Sequence, residues 1–324
     1  MYGHFGQQDI DHGGLLLNNI LPAQGLKDTE INSTITRTLG ASVMPTEIKP
    51  IAEHKDLPHS PISPRFGSEV QGVTLLDMTD EAVAALKQLG AERGVLVVRD
   101  QVMTMAQQAE FAHRLGELTT YPVKQPGGLP EMLTIHADEN SKHVAGEGWH
   151  TDISSELRPP ALSMLRMEIV PDSGGDTLFA DMYQAFASLS AEMQLILLRL
   201  TARHDPTGHY LYLSGEKSLR ELPSQVHPVV RTHPLTGRKA LYVNSAFTGK
   251  IKELSKAESR ALLDMLYQHI ATGISFQIRV QWQPNTVVFW DNRCVQHHAA
   301  WDYFPQVRHG YRATAIGEVP YLEL

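Results

Sequence analysis

The spacing of apolar residues changes near Pro64. From Met1 to Pro64 the apolar positions follow neither a helical nor an alternating period, and proline and polar residues accumulate towards IKPIAEHKDLPHSPISP. We predict an N-terminal extension over residues 1–64, either disordered or draped over the domain. One folded domain is expected over residues 65–324, a length that can bury a single large core.

Two helices are marked by their start signals. Thr104 and Gln107 form a capping box in front of MAQQAEFAHRLG, and Gly116 ends that helix. Ser255 and Glu258 form the same box for KAESRALLDMLYQHIATG, which also ends at a glycine. Both signals are local, so they predict where each helix begins without reference to the rest of the fold.

Two further helical regions are predicted from about Thr79 to Leu89 and over roughly Met182 to Leu200. Between the helices lie β-rich runs bounded by turn residues. This mixture is typical of an antiparallel β sandwich or barrel with helices packed outside, and not of a doubly wound sheet. The predicted strands are a stretch near Glu69 to Leu75, then GVLVVRD, ALSMLRMEIV, KALYVN, SFQIRVQW, NTVVFW and GYRATAI.

Charge and cysteine content narrow the class of protein. A formal net charge of -8 without a basic stripe argues against a nucleic-acid partner. A single cysteine, Cys294, excludes an intramolecular disulfide. The sequence shows neither a signal-peptide pattern nor an apolar run of membrane-spanning length. We therefore expect a soluble, cytoplasmic protein without a membrane partner.

The stretch GWHTDIS places His150 and Asp152 two residues apart. At the end of a strand, both side chains would point to one face and could share a metal ion. The same H-x-D triplet occurs at residues 54–56 and 136–138. The spacing alone therefore does not identify a metal site, and further ligands must be found.

His297 and His298 provide candidates for a third ligand. Two imidazoles and one carboxylate form the facial triad of non-haem Fe(II) oxygenases, which leaves positions open for other ligands. The largest class of these enzymes uses O2 and 2-oxoglutarate, whose far carboxylate needs a cation. Arg308 and Arg312 follow on one predicted strand, so they could hold two anions, the co-substrate and an anionic substrate.

Five blocks of this sequence resemble the taurine dioxygenase family, which includes taurine, alkylsulfate and phenoxyacetate oxygenases. The similarity extends from about Arg65 to Pro320. It implies a double-stranded β-helix, a jelly-roll or cupin-like fold with iron between its sheets. The blocks are WHTD at 149–152, GGDTLFAD at 174–181, HPVVRTHPLTG at 227–237, WDNRCVQHHA at 290–299, and the pair Arg308 and Arg312.

By position, the resemblance implies that His150, Asp152 and His297 are the iron ligands. His298 would then be a neighbour of the site, not a ligand. Cys294 is expected to be packed in the structure, because no base lies beside it in the sequence.

The resemblance also implies how the two anions are held. Thr177 and Arg308 would bind the far carboxylate of 2-oxoglutarate. Arg312 would bind the anionic group of the substrate, as in the members that act on taurine, and Phe247 would form an aromatic wall of the substrate pocket.

Three positions depart from the taurine-type pattern. Tyr121 and Lys124 stand where a histidine and a tyrosine contact the substrate, and Gly146 stands where an asparagine precedes the first iron ligand. The departures argue against taurine itself. Gly146 would also leave room for a longer or bulkier substrate.

The sequence therefore predicts an Fe(II)- and 2-oxoglutarate-dependent dioxygenase that hydroxylates a C–H bond of a small organic anion and releases succinate and CO2. An alkylsulfonate or alkylsulfate is favoured over an aryloxyalkanoate. Two alternatives stay open: a mononuclear zinc hydrolase on the same three ligands, and a catalytically silent jelly-roll protein that senses 2-oxoglutarate or another anion. The family resemblance also suggests a homodimer or homotetramer.

Overall fold

The computed structural model describes residues 57–121, 128–144, 146–208, 222 and 224–324. Over these residues the chain is mostly β with some helices, as the sequence pattern predicted. His54 and Asp56, the first of the other H-x-D triplets, lie outside the described residues.

The largest sheet has seven strands and carries part of the candidate site. In order across the sheet, these are β1 (His59–Pro61), β2 (Ser68–Val70), β3 (Val95–Val98), β13 (Thr286–Asp291), β5 (Pro160–Ile169), β15 (Arg308–Ile316) and β4 (Leu133–Ala137). Neighbouring strands are antiparallel except β2 and β3, which run parallel. β1 precedes Arg65, so the sheet already includes residues that the sequence pattern assigned to the extension.

Three smaller sheets accompany it. The first is β12 (Gln277–Val280), β6 (Thr177–Asp181) and β14 (Val295–Ala299); the second is β11 (Thr248–Ile251), β7 (Thr201–His204) and β8 (Gln225–Pro228); the third is β10 (Lys239–Leu241) with β9 (Val230–Thr232). All pairs in these sheets are antiparallel.

Two predicted capping boxes are confirmed. Thr104 caps α2 (Met105–His113) together with Gln107, and Ser255 caps α5 (Lys256–Thr272) together with Glu258. α2 ends before the predicted glycine, since Arg114 is its C-cap.

The helix predicted near Thr79 is α1 (Asp80–Arg93). The helical region predicted from Met182 to Leu200 is confirmed, but it contains two helices, α3 (Met182–Ala187) and α4 (Ala191–Leu197). Ser190 accepts a hydrogen bond from the backbone N–H of Met193 and so starts a new helix.

β13 separates two hydrophobic clusters. Val287 and Phe289 face a cluster formed with α1 and α2, whereas Val288 and Trp290 face a cluster that includes β6 and α5. A strand buried on both faces reads as a continuous apolar run, which explains the NTVVFW pattern. On the second face, the rings of Trp290 and Phe179 from β6 lie 5.9 Å apart, and the candidate site lies beside them.

None of the described helices is long and apolar enough to cross a membrane.

Candidate metal centre

His150, Asp152 and His297 meet in one buried cluster. One ligand atom from each lies within 4.8 Å of the other two. Oδ1 of Asp152 is 4.0 Å from Nε2 of His150 and 3.8 Å from Nε2 of His297. Two imidazole nitrogens and one carboxylate oxygen are a donor set suited to Fe(II) or Zn2+.

His150 is not part of a regular strand, which corrects the strand-end geometry expected from the sequence. It forms an isolated β-bridge with His297, and the chain turns at Asp152. The two backbones exchange hydrogen bonds of 3.1 and 2.8 Å, which brings the imidazole ring centroids to 4.1 Å. Nδ1 of His150 lies 2.9 Å from the carbonyl oxygen of Gly148 and must donate to it, so Nε2 carries the lone pair that a metal requires.

Asp152 is held as an anion. Its Oδ2 accepts a hydrogen bond from Ser163 at 2.7 Å, and its Oδ1 accepts one from Arg312 at 2.8 Å. Burial raises the pKa of Asp152, but Arg312, the two histidines and Ser163 outweigh it and place the pKa well below its usual range. The carboxylate is therefore ready to bind a cation at neutral pH.

Both candidate imidazoles are held neutral. Burial lowers the pKa of His150 and lowers that of His297 well below its usual value, in each case against the raising effect of Asp152. His298 does not join the cluster, because neighbouring residues of β14 point to opposite faces. Its Nδ1 instead accepts a hydrogen bond from the backbone N–H of Gly148 at 2.9 Å.

Asn292 and Ser163 support the cluster but were not found from the sequence. The side-chain oxygen of Asn292 accepts a hydrogen bond from the backbone N–H of Asp152, and its amide group donates to Ser163. Ser163 comes from β5 and Asn292 follows β13, so only the sheet register brings them together. They fix the orientation of the carboxylate.

A second pocket of polar groups surrounds Arg308. Its guanidinium donates to the Thr177 hydroxyl at 3.5 Å, and Nε1 of Trp282 donates to the same oxygen at 3.0 Å. Arg308 is 3 % exposed, yet none of the described carboxylates lies within ion-pair distance and its Nε has no hydrogen-bond partner. Burial lowers the pKa of Arg308, and the Tyr303 phenol and the more distant Asp176 carboxylate partly offset this effect.

A buried arginine without a carboxylate is costly unless a ligand supplies one. This pocket therefore fits an anion with a planar carboxylate, such as the far end of 2-oxoglutarate. The Thr177 hydroxyl accepts from both neighbours, which leaves its own proton available for the same anion.

Arg312 lies on β15 with Arg308 but is already engaged. Burial lowers the pKa of Arg312, but Asp152 and the Tyr121 phenol together raise it by more, so the net shift of the pKa is upwards. Nε of Arg312 and the hydroxyl of Tyr121 are buried without hydrogen-bond partners among the described residues. Two donors therefore stand beside the carboxylate of the cluster.

Gly146 lies against the cluster. A Cβ built at this position would lie 3.3 Å from Cε1 of His150 and 3.6 Å from Cβ of Ala299, and the backbone φ is +91°. Phe247 is buried and accepts a backbone hydrogen bond from Asp205. Its role as a pocket wall stays a prediction, and Lys124 lies outside the described residues.

Two other groups of histidine and acidic residues are less suited to a metal ion than the cluster of His150, Asp152 and His297. His136 and Asp138 lie on the surface, with Nε2 and Oδ2 3.5 Å apart. His233, Asp291 and Cys294 form the second group within metal-binding distance. There, Nδ1 of His233 accepts a hydrogen bond from the backbone N–H of Leu235, so its Nε2 carries the proton, donates to Asp291 and has no lone pair for a metal. Burial raises the pKa of Cys294 well above its usual value, which keeps a thiol and not a thiolate.

The chain is similar to known proteins in both sequence and structure. Residues 53–314 match the family described as "Taurine catabolism dioxygenase TauD, TfdA family". The chain is 36% identical over 280 residues to an alpha-ketoglutarate-dependent sulfonate dioxygenase from Saccharomyces cerevisiae, covering 81% of this chain and 68% of the relative. It is 33% identical over 274 residues to an alpha-ketoglutarate-dependent sulfate ester dioxygenase from Pseudomonas putida, covering 80% and 89%.

A solved structure is also similar. A taurine dioxygenase from Burkholderia xenovorans superposes with a TM-score of 0.71 at 32% sequence identity, covering 82% of this chain and 92% of that one. The similarity therefore extends over most of both chains.

Proposed function

Because this chain belongs to the taurine catabolism dioxygenase TauD, TfdA family and is an alpha-ketoglutarate-dependent dioxygenase, we propose that it hydroxylates a C–H bond of a small organic anion. The reaction would consume O2 and 2-oxoglutarate (alpha-ketoglutarate) and release succinate and CO2. An alkylsulfonate or alkylsulfate ester is the favoured substrate class and an aryloxyalkanoate the second. The sulfonate and sulfate ester dioxygenases among its relatives support this order.

The proposal includes the fold. We assign the domain to the double-stranded β-helix, or jelly roll, with the cluster between the seven-stranded sheet and the sheet of β6, β12 and β14. The position of Trp290 and Phe179 beside His297 supports this assignment, since the two aromatic rings come from different sheets.

His150, Asp152 and His297 would hold Fe(II). When bound there with 2-oxoglutarate, the iron supplies the oxidising power that activates O2 towards a C–H bond. The protein keeps both imidazoles neutral and the carboxylate ionised, so no proton must leave these side chains before the metal binds. The Gly148 carbonyl and the Ser163 hydroxyl keep the ligands in one orientation.

Arg308 carries the proposal, because it is a buried cation and none of the described carboxylates lies within ion-pair distance of it. Together with the Thr177 hydroxyl it would bind the far carboxylate of 2-oxoglutarate. A mononuclear zinc hydrolase would use the same three metal ligands but has no need for this arginine. A protein that only senses 2-oxoglutarate would keep Arg308 and form no succinate.

Arg312 would orient the substrate. Its guanidinium beside Asp152 can hold the anionic group, with Tyr121 as a second donor. A side chain at position 146 would press on His150, so the glycine found there leaves this side of the cluster open and favours a substrate longer than taurine. If the hydroxylated carbon carries a sulfonate or sulfate, the product collapses to an aldehyde and releases the inorganic anion.

An anaerobic absorption titration with Fe(II) and then 2-oxoglutarate tests this function. The intact protein should develop a weak visible charge-transfer band that is absent in His150→Ala and needs more 2-oxoglutarate in Arg308→Ala. Succinate release is then screened with alkylsulfonates, alkylsulfates and aryloxyacetates.

Bound metal without the band would overturn the dioxygenase chemistry and favour the zinc hydrolase. A band without succinate from any anion would instead favour the silent sensor.

A further inference from the structure

Two histidines outside the candidate centre face each other across neighbouring strands. His136 lies on β4, an edge strand of the seven-stranded sheet, and His309 lies directly opposite it on β15. Their Nδ1 atoms are 3.2 Å apart, and their ring planes are inclined by 73°. His136 belongs to the H-x-D triplet that the proposed function leaves unused.

The separation of the nitrogens matches the geometry of a shared metal ion. Two nitrogens at a Zn–N distance of about 2.0–2.1 Å and a tetrahedral angle are about 3.3 Å apart. The two strands hold the rings close to this separation without a ligand, so little rearrangement is needed for binding.

The other nitrogen of each ring already has a partner. Nε2 of His136 lies 3.5 Å from Oδ2 of Asp138, and Nε2 of His309 lies 3.2 Å from the hydroxyl of Tyr311. Histidines that bind metals usually donate their second N–H to a carboxylate or another acceptor, which directs the first nitrogen to the ion. Here the two Nδ1 atoms face each other at 3.2 Å while both Nε2 atoms have other partners.

Charge and access also favour a cation. A hydrogen bond from the backbone of Asn140 lowers the pKa of Asp138, so its carboxylate stays ionised. Burial, with a smaller effect of the neighbouring His136, lowers the pKa of His309 against the raising effect of Glu168, which favours a neutral ring. The side chain of His136 is 44% exposed, so ions reach the pair from solvent.

We propose that His136 and His309 together bind one divalent transition-metal ion of the zinc type, with water completing its coordination. The ion would tie the edge strand β4 to β15. Because β15 also carries Arg308 and Arg312, this second site would fix the strand that holds both arginines of the proposed anion sites. It does not depend on the proposed dioxygenase reaction.

A zinc titration of the metal-free, full-length protein tests the site, with a chromophoric indicator as competitor. The intact protein should bind one more equivalent of Zn2+ than His309→Gln or His136→Gln, and His150→Ala should keep this equivalent. Asp138→Asn should weaken it by about 10- to 100-fold. His113→Gln is the matched control, since His113 is another exposed histidine beside an acid, Glu131, outside the pair.

The thermal midpoint gives an independent readout. In the His150→Ala background, Zn2+ should raise the midpoint of unfolding, and the added change His136→Gln, at an exposed position, should abolish the rise. Unchanged stoichiometry and affinity in both His309→Gln and His136→Gln would overturn the proposal. The pair would then be a hydrogen-bonded contact between neutral rings.

Discussion

Arg312 donates a hydrogen bond to Oδ1 of Asp152 at 2.8 Å, and the same oxygen is the one nearest to the Nε2 atoms of His150 and His297. One carboxylate oxygen therefore joins the candidate metal centre to the cation proposed for the substrate. A metal ion would bind this oxygen, and a substrate anion would bind the Arg312 guanidinium beside it. The hydrogen bond to Asp152 already fixes that guanidinium in place.

Replacing Arg312 should separate substrate binding from co-substrate binding. In Arg312→Gln, we expect kcat/KM for the preferred anion to fall by about 10- to 100-fold, since hydrogen bonds between charged groups contribute about 1.5–3 kcal/mol each. The concentration of 2-oxoglutarate that half-saturates the anaerobic band should change little. Steady-state kinetics and the titration check both parts.

Arg308→Gln provides the opposite pattern as a control, with a raised requirement for 2-oxoglutarate. If Arg312→Gln kept the kcat/KM of the intact protein, its role in binding the substrate would be excluded.

Trp282 should affect the co-substrate through Thr177. Its Nε1 donates to the threonine hydroxyl, whose own proton is then directed to the anion. Trp282→Phe should raise the KM for 2-oxoglutarate several-fold while the KM for the substrate stays constant.

Thr177→Val should raise the KM for 2-oxoglutarate at least as much. The two changes should be less than additive in the double variant, because both act on one hydroxyl. Additive effects would mean that Trp282 acts by packing and not by orienting Thr177.

Features that depend on neighbouring residues were predicted from the sequence, whereas features that depend on contacts between distant residues were not. The capping boxes at Thr104 and Ser255 are confirmed because each depends on residues three positions apart. The region from Met182 to Leu200 was predicted as helical without its division into two helices, because composition alone does not reveal the new N-cap at Ser190. The Ser190 hydroxyl accepts a hydrogen bond from the backbone N–H of Met193, so the first helix ends and a second begins there.

The candidate site shows the same contrast. Sequence spacing alone left both His297 and His298 as candidates and the family resemblance pointed to His297, which the bridge to His150 brings into the cluster. Ser163 and Trp282 gave no signal, since their contacts depend on the register of strands far apart in the chain. The hydrogen bond from Arg312 to Asp152 was not predicted, because it joins residues 160 positions apart.

Gly146 and Gly148 form a matched pair for testing the space beside the metal. Both have a positive φ, +91° and +96°, so alanine strains either backbone by about 1–3 kcal/mol. Only at Gly146 would the new Cβ approach His150, whereas at Gly148 it meets nothing within 4 Å. Gly146→Ala should therefore lower kcat/KM for long substrates more than for short ones, and Gly148→Ala should not discriminate.

Kinetics with a homologous series of alkylsulfates, together with thermal midpoints, check this difference. Equal discrimination in the two variants would show that the space at Gly146 does not determine substrate length.

His204 should contribute to the loss of stability in acid. It is fully buried, its Nδ1 lies 2.9 Å from the hydroxyl of Ser154, and its ring faces those of His227 and Tyr242. Burial, with a smaller effect of His227, lowers its pKa to about 3. Arg231 lies over the Tyr242 ring and lowers the pKa of the neighbouring His227.

The unfolded chain binds the proton near pH 6.5, where a free imidazole titrates. The contribution of His204 is therefore fully present above that pH and is lost as pH falls towards 3, by at most about 1.4 kcal/mol per pH unit. The urea midpoint of unfolding should drop less between pH 7.5 and pH 5.0 in His204→Asn than in the intact protein. This comparison holds whatever the stability of the variant at pH 7.5. An equal drop in the two proteins would show that His204 does not cause the acid sensitivity. The other buried histidines would then be responsible for it.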